Sequence, residues 1–185
     1  PDNSTALSEA QYVNCSIKVT DNATNASNIL FVNQFTVDTT APTVDNVSSS
    51  TTDGNYFPDD NITVTVTFND NVIVDNSSGN PRIQLETGSN DRYANYISGN
   101  STSILSFLYA VQSGDNFIDL DYKATNSLSA NGGSIRDNAI NNANLTLASP
   151  GATNSLASNK ALVFGGWKQE AYIKAANNDV ECEYP

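Results

Sequence analysis

The sequence predicts an all-β protein built as an antiparallel β-sandwich. Short segments of alternating apolar and polar residues recur between residues 61 and 164, with clusters of turn-forming residues between them. No stretch in that region repeats its apolar residues every 3.6 positions, as a core-facing helix would. The clearest segment spans residues 61–70, where Ile62, Val64, Val66 and Phe68 fall on one face and Thr63, Thr65 and Thr67 on the other. Successive side chains of a strand point to opposite faces, so this pattern is a strand with one face in a core.

The other elements follow in order. Residues 1–40 contain three strand-like pieces, 11–20, 29–32 and 35–37, too few to close a sandwich. They read as the C-terminal part of a preceding module. Asp38-Thr39-Thr40-Ala41-Pro42 reads as a linker, because Pro42 fixes its own φ and biases Ala41 towards an extended conformation. Past the strand at 61–70, residues 82–87 place Ile83 and Leu85 inward, 92–98 repeat the alternation weakly, and 103–111 are apolar enough for a central strand. Within 117–124, Ile118, Leu120 and Tyr122 share a face opposite Asp119 and Asp121, and 161–164 close the series. The expected core is Ile62, Val64, Val66, Phe68, Leu85, Leu120 and Tyr122. Asp53-Gly54-Asn55, Ser77-Ser78-Gly79-Asn80-Pro81, Ser113-Gly114-Asp115 and Asn131-Gly132-Gly133 are turn material between strands. Residues 165–185 read as the start of a following domain or a tail, with 168–178 a short helix or an opening strand.

Composition excludes several functions. The chain of 185 residues has 8 Lys and Arg against 20 Asp and Glu, a net charge of −12, and no His. Without His, imidazole acid–base catalysis, His-based triads and His zinc sites are not available. The acidic balance argues against nucleic acid and anionic membrane surfaces, which are met by basic patches. No apolar run approaches the ~20 residues that a membrane-spanning helix needs, and no signal-peptide pattern is expected at the start.

Particular residues carry a family resemblance. Val19-Thr20-Asp21-Asn22-Ala23-Thr24-Asn25, followed by Phe35-Thr36-Val37-Asp38-Thr39-Thr40-Ala41-Pro42, resembles the end of bacterial Ig-like repeats in large surface proteins, although Thr24 stands where those repeats usually have Gly. Residues 41–164 resemble a second, longer Ig-like module. The matching stretches are Ile62-Thr63-Val64-Thr65-Val66-Thr67-Phe68, Asp119-Leu120-Asp121-Tyr122, Asn131-Gly132-Gly133-Ser134-Ile135-Arg136-Asp137-Asn138-Ala139 and Asn159-Lys160-Ala161-Leu162-Val163. Trp167-Lys168-Gln169-Glu170-Ala171-Tyr172-Ile173-Lys174-Ala175 is similar to the lead-in of FG-GAP propeller repeats, without the FG-GAP motif itself. The resemblance implies an Ig-like antiparallel sandwich at 41–164, outside a bacterial cell or on its surface, with Ig-like or propeller modules as neighbours.

Acidic loops are the one candidate chemistry. An Ig-like strand order brings the loop after the second strand and the loop before the last to the N-terminal pole. Asp70, Asp75, Asp137 and Asn138 would then meet linker residue Asp38. Such a set of oxygen donors suits Ca2+, which takes six to eight of them; alternatively, Asp and Asn here only form turns by bonding their own backbone. Asp119 and Asp121, expected on one solvent face, form a pair of the kind used in glycoside hydrolysis, but an amphipathic edge strand gives the same pattern, and no cleft is implied. Cys15 and Cys182 flank the whole central module and are too far apart to pair if modules run end to end. Lys123 and Lys160 are candidates for an isopeptide crosslink or plain surface lysines. Trp167 is a stacking or a packing aromatic, and the Asn-x-Ser/Thr sequons follow from composition.

The expected function is therefore structural: an extracellular spacer or adhesion unit of a multi-module surface protein, not an enzyme. The alternatives are a glycan- or protein-binding module gripping its ligand with loops 69–81 or 126–159, or an accessory domain of a secreted hydrolase.

Overall fold

The computed structural model describes residues 6–165. Among them the fold is nearly all β. The strand expected at 61–70 is longer than predicted and organises everything else. It runs from Asn61 to Asp75 (β7), with Ile62, Val64 and Val66 fully buried, Phe68 2% exposed, and the alternate threonines only half-buried. Asn69, Asp70 and Asn71 interrupt it. Across from them, two residues along β10 (Thr102–Ala110; 104 − 102 = 2) correspond to five along β7 (72 − 67 = 5), because Thr102 pairs with Val72 and Ile104 with Thr67. The surplus residues bulge out of the ladder, and a bulge bends its strand.

That bend lets one strand serve two partners on its outer edge. Before the bulge, β7 pairs with β5 (Val44–Ser49), from Val44 opposite Phe68 to Ser49 opposite Val64. Beyond it, the same edge pairs with β13 (Ser134–Arg136) through Ile73, Val74 and Asp75. The inner edge leads through β10 and β9 (Arg92–Ser98) to β8 (Arg82–Glu86). The outer edge of β8 is divided too, between β11 (Asp121–Tyr122) and β12 (Leu128–Ser129). The result is one curled antiparallel sheet of eight strands. Short outermost strands leave little free edge for a neighbouring chain to pair with. A parallel pair, β6 (Gly54–Tyr56) with β14 (Leu162–Phe164), and the single turn of α1 (Leu156–Asn159) complete the enclosure; Ser155 caps α1 through its hydroxyl.

All seven residues expected in the core lie in it. One phase was misread. Residues 117–124 are not a continuous strand: only Asp121 and Tyr122 join the ladder, so strict alternation fails ahead of them. Ile118, expected inward, is 88% exposed, and Phe117 packs in its stead, 5.7 Å from Phe164 between ring centroids. Asp121, expected on the solvent face, is buried. The supposed loop 69–81 is mostly the second half of β7.

Residues 6–40 form two small ladders. β1 (Ala10–Tyr12) pairs with β4 (Phe35–Val37), and β2 (Ser16–Ile17) with β3 (Leu30–Phe31). Tyr12 stacks on Phe35 with ring centroids 5.2 Å apart. The segment resembling an FG-GAP lead-in, the 168–178 element, Trp167 and Cys182 lie outside the described residues.

Candidate functional site

Two of the predicted site residues, Asp38 and Asp70, sit at the linker joint. Pro42 is buried, and the chain on either side of it is held by the module it enters. Asn69, in the bulge of β7, donates its N–H to the carbonyl of Thr43 at 3.0 Å and accepts the Thr43 N–H on its side-chain oxygen at 2.8 Å. On the other flank, the Asn144 N–H reaches the carbonyl of Pro42 at 2.7 Å. The bulge thus forms one jaw of a clamp on the entering chain, which is the local reason for breaking β7 at Asn69.

The second jaw is the hairpin after β13. Asp137 is 3% exposed, and its carboxylate is occupied within its own turn: Oδ1 accepts the backbone N–H of Asn141 and Oδ2 its side-chain Nδ2–H, both at 2.8 Å. The other hydrogen of that Nδ2 serves the carbonyl of Asp38 at 3.1 Å. Asn141 therefore joins the turn to the linker. Across the joint, the hydroxyls of Thr40 and Thr39 donate to Glu9 Oε2 at 2.6 and 3.2 Å, and these bonds hold the Glu9 carboxyl below the usual range. An open cavity of about 510 Å³ lies between, lined by Glu9, Gln11, Asp38, Thr40, Asn69 and Asp70.

The five predicted metal ligands do not converge. Asp38 and Asp70 line the joint cavity, whereas Asp75, Asp137 and Asn138 line a separate depression of about 250 Å³ with Ile73, Arg136 and Ile140. Asp75 accepts the Ser77 N–H at 3.0 Å; that bond, the Ser77 side chain and the charge of Arg136 lower its pKa. Among the described residues, no group of three or more Asp, Glu or Cys stands close enough to hold a metal ion. Four of the five side chains instead accept from donors close by in the chain: Asp38 from the Thr40 N–H, Asp70 from the Asn71 N–H, Asp75 from the Ser77 N–H and Asp137 from Asn141.

The acidic pair is likewise divided. Asp121 accepts N–H groups from Tyr122 and Gly151, each at 2.8 Å, so it ties β11 to the loop at Gly151 from inside the fold. Asp119 is exposed; partial desolvation and the carboxylates of Asp121 and Asp53 push its pKa up. They do not face a common substrate position. Lys160 pairs with Asp53 at 3.0 Å and Lys123 with Asp91, as surface ion pairs.

Two features escaped the sequence reading. Asn141 went unnoticed, although Asp-Asn-Ala-X-Asn occurs at both 21–25 and 137–141 and signals a shared turn. Asp115, read as turn material, has no exposed side-chain surface and accepts from Arg92 Nε at 3.1 Å, from the Gln112 N–H at 2.7 Å and from the hydroxyl of Tyr109. It braces the far pole of the module, beside the end of β10. Among the described residues, no helix is long and apolar enough to cross a membrane.

No family model matches the chain, and comparisons with curated proteins and with solved structures found no match either.

Proposed function

We propose that residues 41–164 are a spacer module with an Ig-like sandwich architecture, in an extracellular, multi-module bacterial surface protein whose neighbouring modules it holds apart. One observation carries this reading: the chain enters and leaves at opposite ends. Entry is beside Phe68, where β5 begins, with Val44 opposite Phe68. Exit is at Gly165, whose N–H bonds the carbonyl of Tyr56, just ahead of Asn61 where β7 starts. Between Asn61 and Phe68 lie seven steps of strand (68 − 61 = 7), or about 23 Å at the usual rise. Modules joined through such ends extend a chain and do not fold it back.

The joint supports the same reading. A spacer transmits orientation only if its linker is fixed, and the Asp38–Thr43 segment is tied to Glu9 on one side and to Asn69, Asn141 and Asn144 on the other. The test is small-angle scattering on the full chain and on Asn141→Ala. The reading expects an elongated particle with a narrow distance distribution, broadened in the variant. A compact particle with the two parts folded against each other would reject it.

A further inference from the structure

The hairpin that holds the linker occurs twice in the chain, in two different surroundings. Adding 116 to each residue number (137 − 21 = 116) lays residues 19–31 over 135–147. Asp21-Asn22-Ala23-Thr24-Asn25 then falls on Asp137-Asn138-Ala139-Ile140-Asn141, and Asn28 on Asn144. The geometry repeats as well. Thr24 and Ile140 both adopt the left-handed conformation, with φ of 70° and 73°. Asp21 accepts the backbone N–H of Asn25 at 2.8 Å and its side-chain Nδ2–H at 3.1 Å, as Asp137 does from Asn141. The bridge between Thr20 and Ala26 recurs between Arg136 and Asn142. The Ser27 N–H reaches the Val19 carbonyl at 2.7 Å, as Ala143 reaches Ile135 at 2.9 Å.

Exposure separates the two copies. Ile135 and Leu147 are 3% and 4% exposed, and Leu145 packs against the core. Their counterparts Val19, Phe31 and Ile29 are 64%, 77% and 53% exposed. The outer edge of the second copy is paired, and its apolar side chains join the module core: residues 134–136 lie antiparallel to Ile73–Asp75 at the end of β7. Among the described residues, no strand lies along the corresponding outer edge at 18–20. Charge points to the same kind of occupant. Ser134 pairs with Asp75, and its counterpart is Lys18, so a strand bound in this register would set an acidic residue against a lysine.

We propose that the edge at residues 18–20, with Val19, Ile29 and Phe31, is a docking surface for one antiparallel β-strand of the β7 kind. Such a strand is apolar at alternate positions and ends in an acidic residue. Backbone pairing at the edge gives attachment, while the alternate apolar side chains cover the three exposed ones and set the register. The proposal rests on reading residues 6–40 as part of a module like the one that follows.

The test is a fusion that places the sequence of residues 61–75 ahead of residue 6 of the chain, through a flexible Gly/Ser tether long enough to reach the edge. Tethering raises the local concentration of the donor strand without adding a contact. Amide hydrogen exchange at residues 18–20 should slow at least tenfold relative to the parent chain, and Val19→Asp in the fusion should abolish the slowing. Exchange in β7 itself, unchanged throughout, reports that the central module stays folded. Equal exchange at 18–20 in fusion and parent, or slowing that survives Val19→Asp, would overturn the proposal. Neither outcome bears on the scattering of Asn141→Ala, so a failed docking surface is distinguishable from a failed spacer.

Discussion

The side chain of Asn141 donates to the carbonyl of Asp38, a residue 103 positions earlier, at 3.1 Å. The bond crosses from the last hairpin of the module to the chain that enters it, and the same nitrogen donates its other hydrogen to buried Asp137. One amide thus couples the closing of the sheet to the orientation of the linker.

Asn141→Ala should therefore act at two levels. It leaves a buried carboxylate oxygen with one donor fewer, which costs about 1–3 kcal/mol, and it frees the linker. Urea denaturation would show the first effect as a lower midpoint with an unchanged slope. Asn141→Asp should do the same or worse, since it sets a second carboxylate against Asp137.

Alkaline pH should unfold the module through its buried tyrosines. Tyr109 and Tyr122 are 1% and 0% exposed. Burial raises both pKa values: that of Tyr122 to about 12, and that of Tyr109 well above the ordinary phenol range, helped by the hydroxyl's bond to Asp115. An unfolded tyrosine loses its proton near ~10. Above that pH the unfolded chain binds fewer protons than the folded one, so stability is full below about pH 10 and falls as pH rises, by roughly 1.4 kcal/mol per pH unit for each residue. For Tyr122 the loss runs up to about pH 12. Stability measured at intervals from pH 9 to about 11.5 should decline with this slope, and Tyr122→Phe should make the decline shallower. A flat profile would contradict it.

Asp115 should prove the costliest single carboxylate to remove. Its side chain is fully buried and takes donors from Tyr109, Gln112 and Arg92. Asp115→Ala strands a hydroxyl and a half-buried guanidinium at once, and breaking a buried ion pair from one side costs roughly 3–5 kcal/mol. Asp115→Asn keeps an acceptor oxygen and should cost less. Calorimetry on both variants checks the order, and equal melting for Ala and wild type would show the cluster to be idle.

How far the sequence was legible depends on what each residue does with its neighbours. β7 could be read because Ile62, Val64, Val66 and Phe68 alternate with threonines, and a ladder keeps that phase. The edge strands were not legible. β5 presents only Val47 as a buried apolar residue, and β13 only Ile135. Pairing with β7 makes them strands, through backbone bonds that leave no mark in composition. The phase at 117–122 failed for the converse reason, since alternation without a ladder is not enforced. At the joint, Asp38 and Asp70 were foreseen, but Glu9, Asn69, Asn141 and Asn144, which hold the linker, were not. Asp137 looks like a free ligand until the asparagine four positions on is seen to satisfy it.

The two hairpins supply a final prediction. Thr24 and Ile140 are β-branched residues at φ of 70° and 73°, where Cβ crowds the following carbonyl. Such a conformation costs about 1–2 kcal/mol for a residue other than Gly, and Gly adopts it without strain, though at the expense of a more flexible unfolded chain. Ile140 is 69% exposed, so its side chain contributes little packing to set against the strain. Ile140→Gly should therefore stabilise the central module by roughly 0.5–1 kcal/mol. Ile140→Ala removes the same exposed surface but keeps a Cβ at positive φ, and should gain less. Thermal melting of the two variants side by side separates relief of backbone strain from loss of an exposed apolar group, and an equal gain in both would assign the effect to the latter.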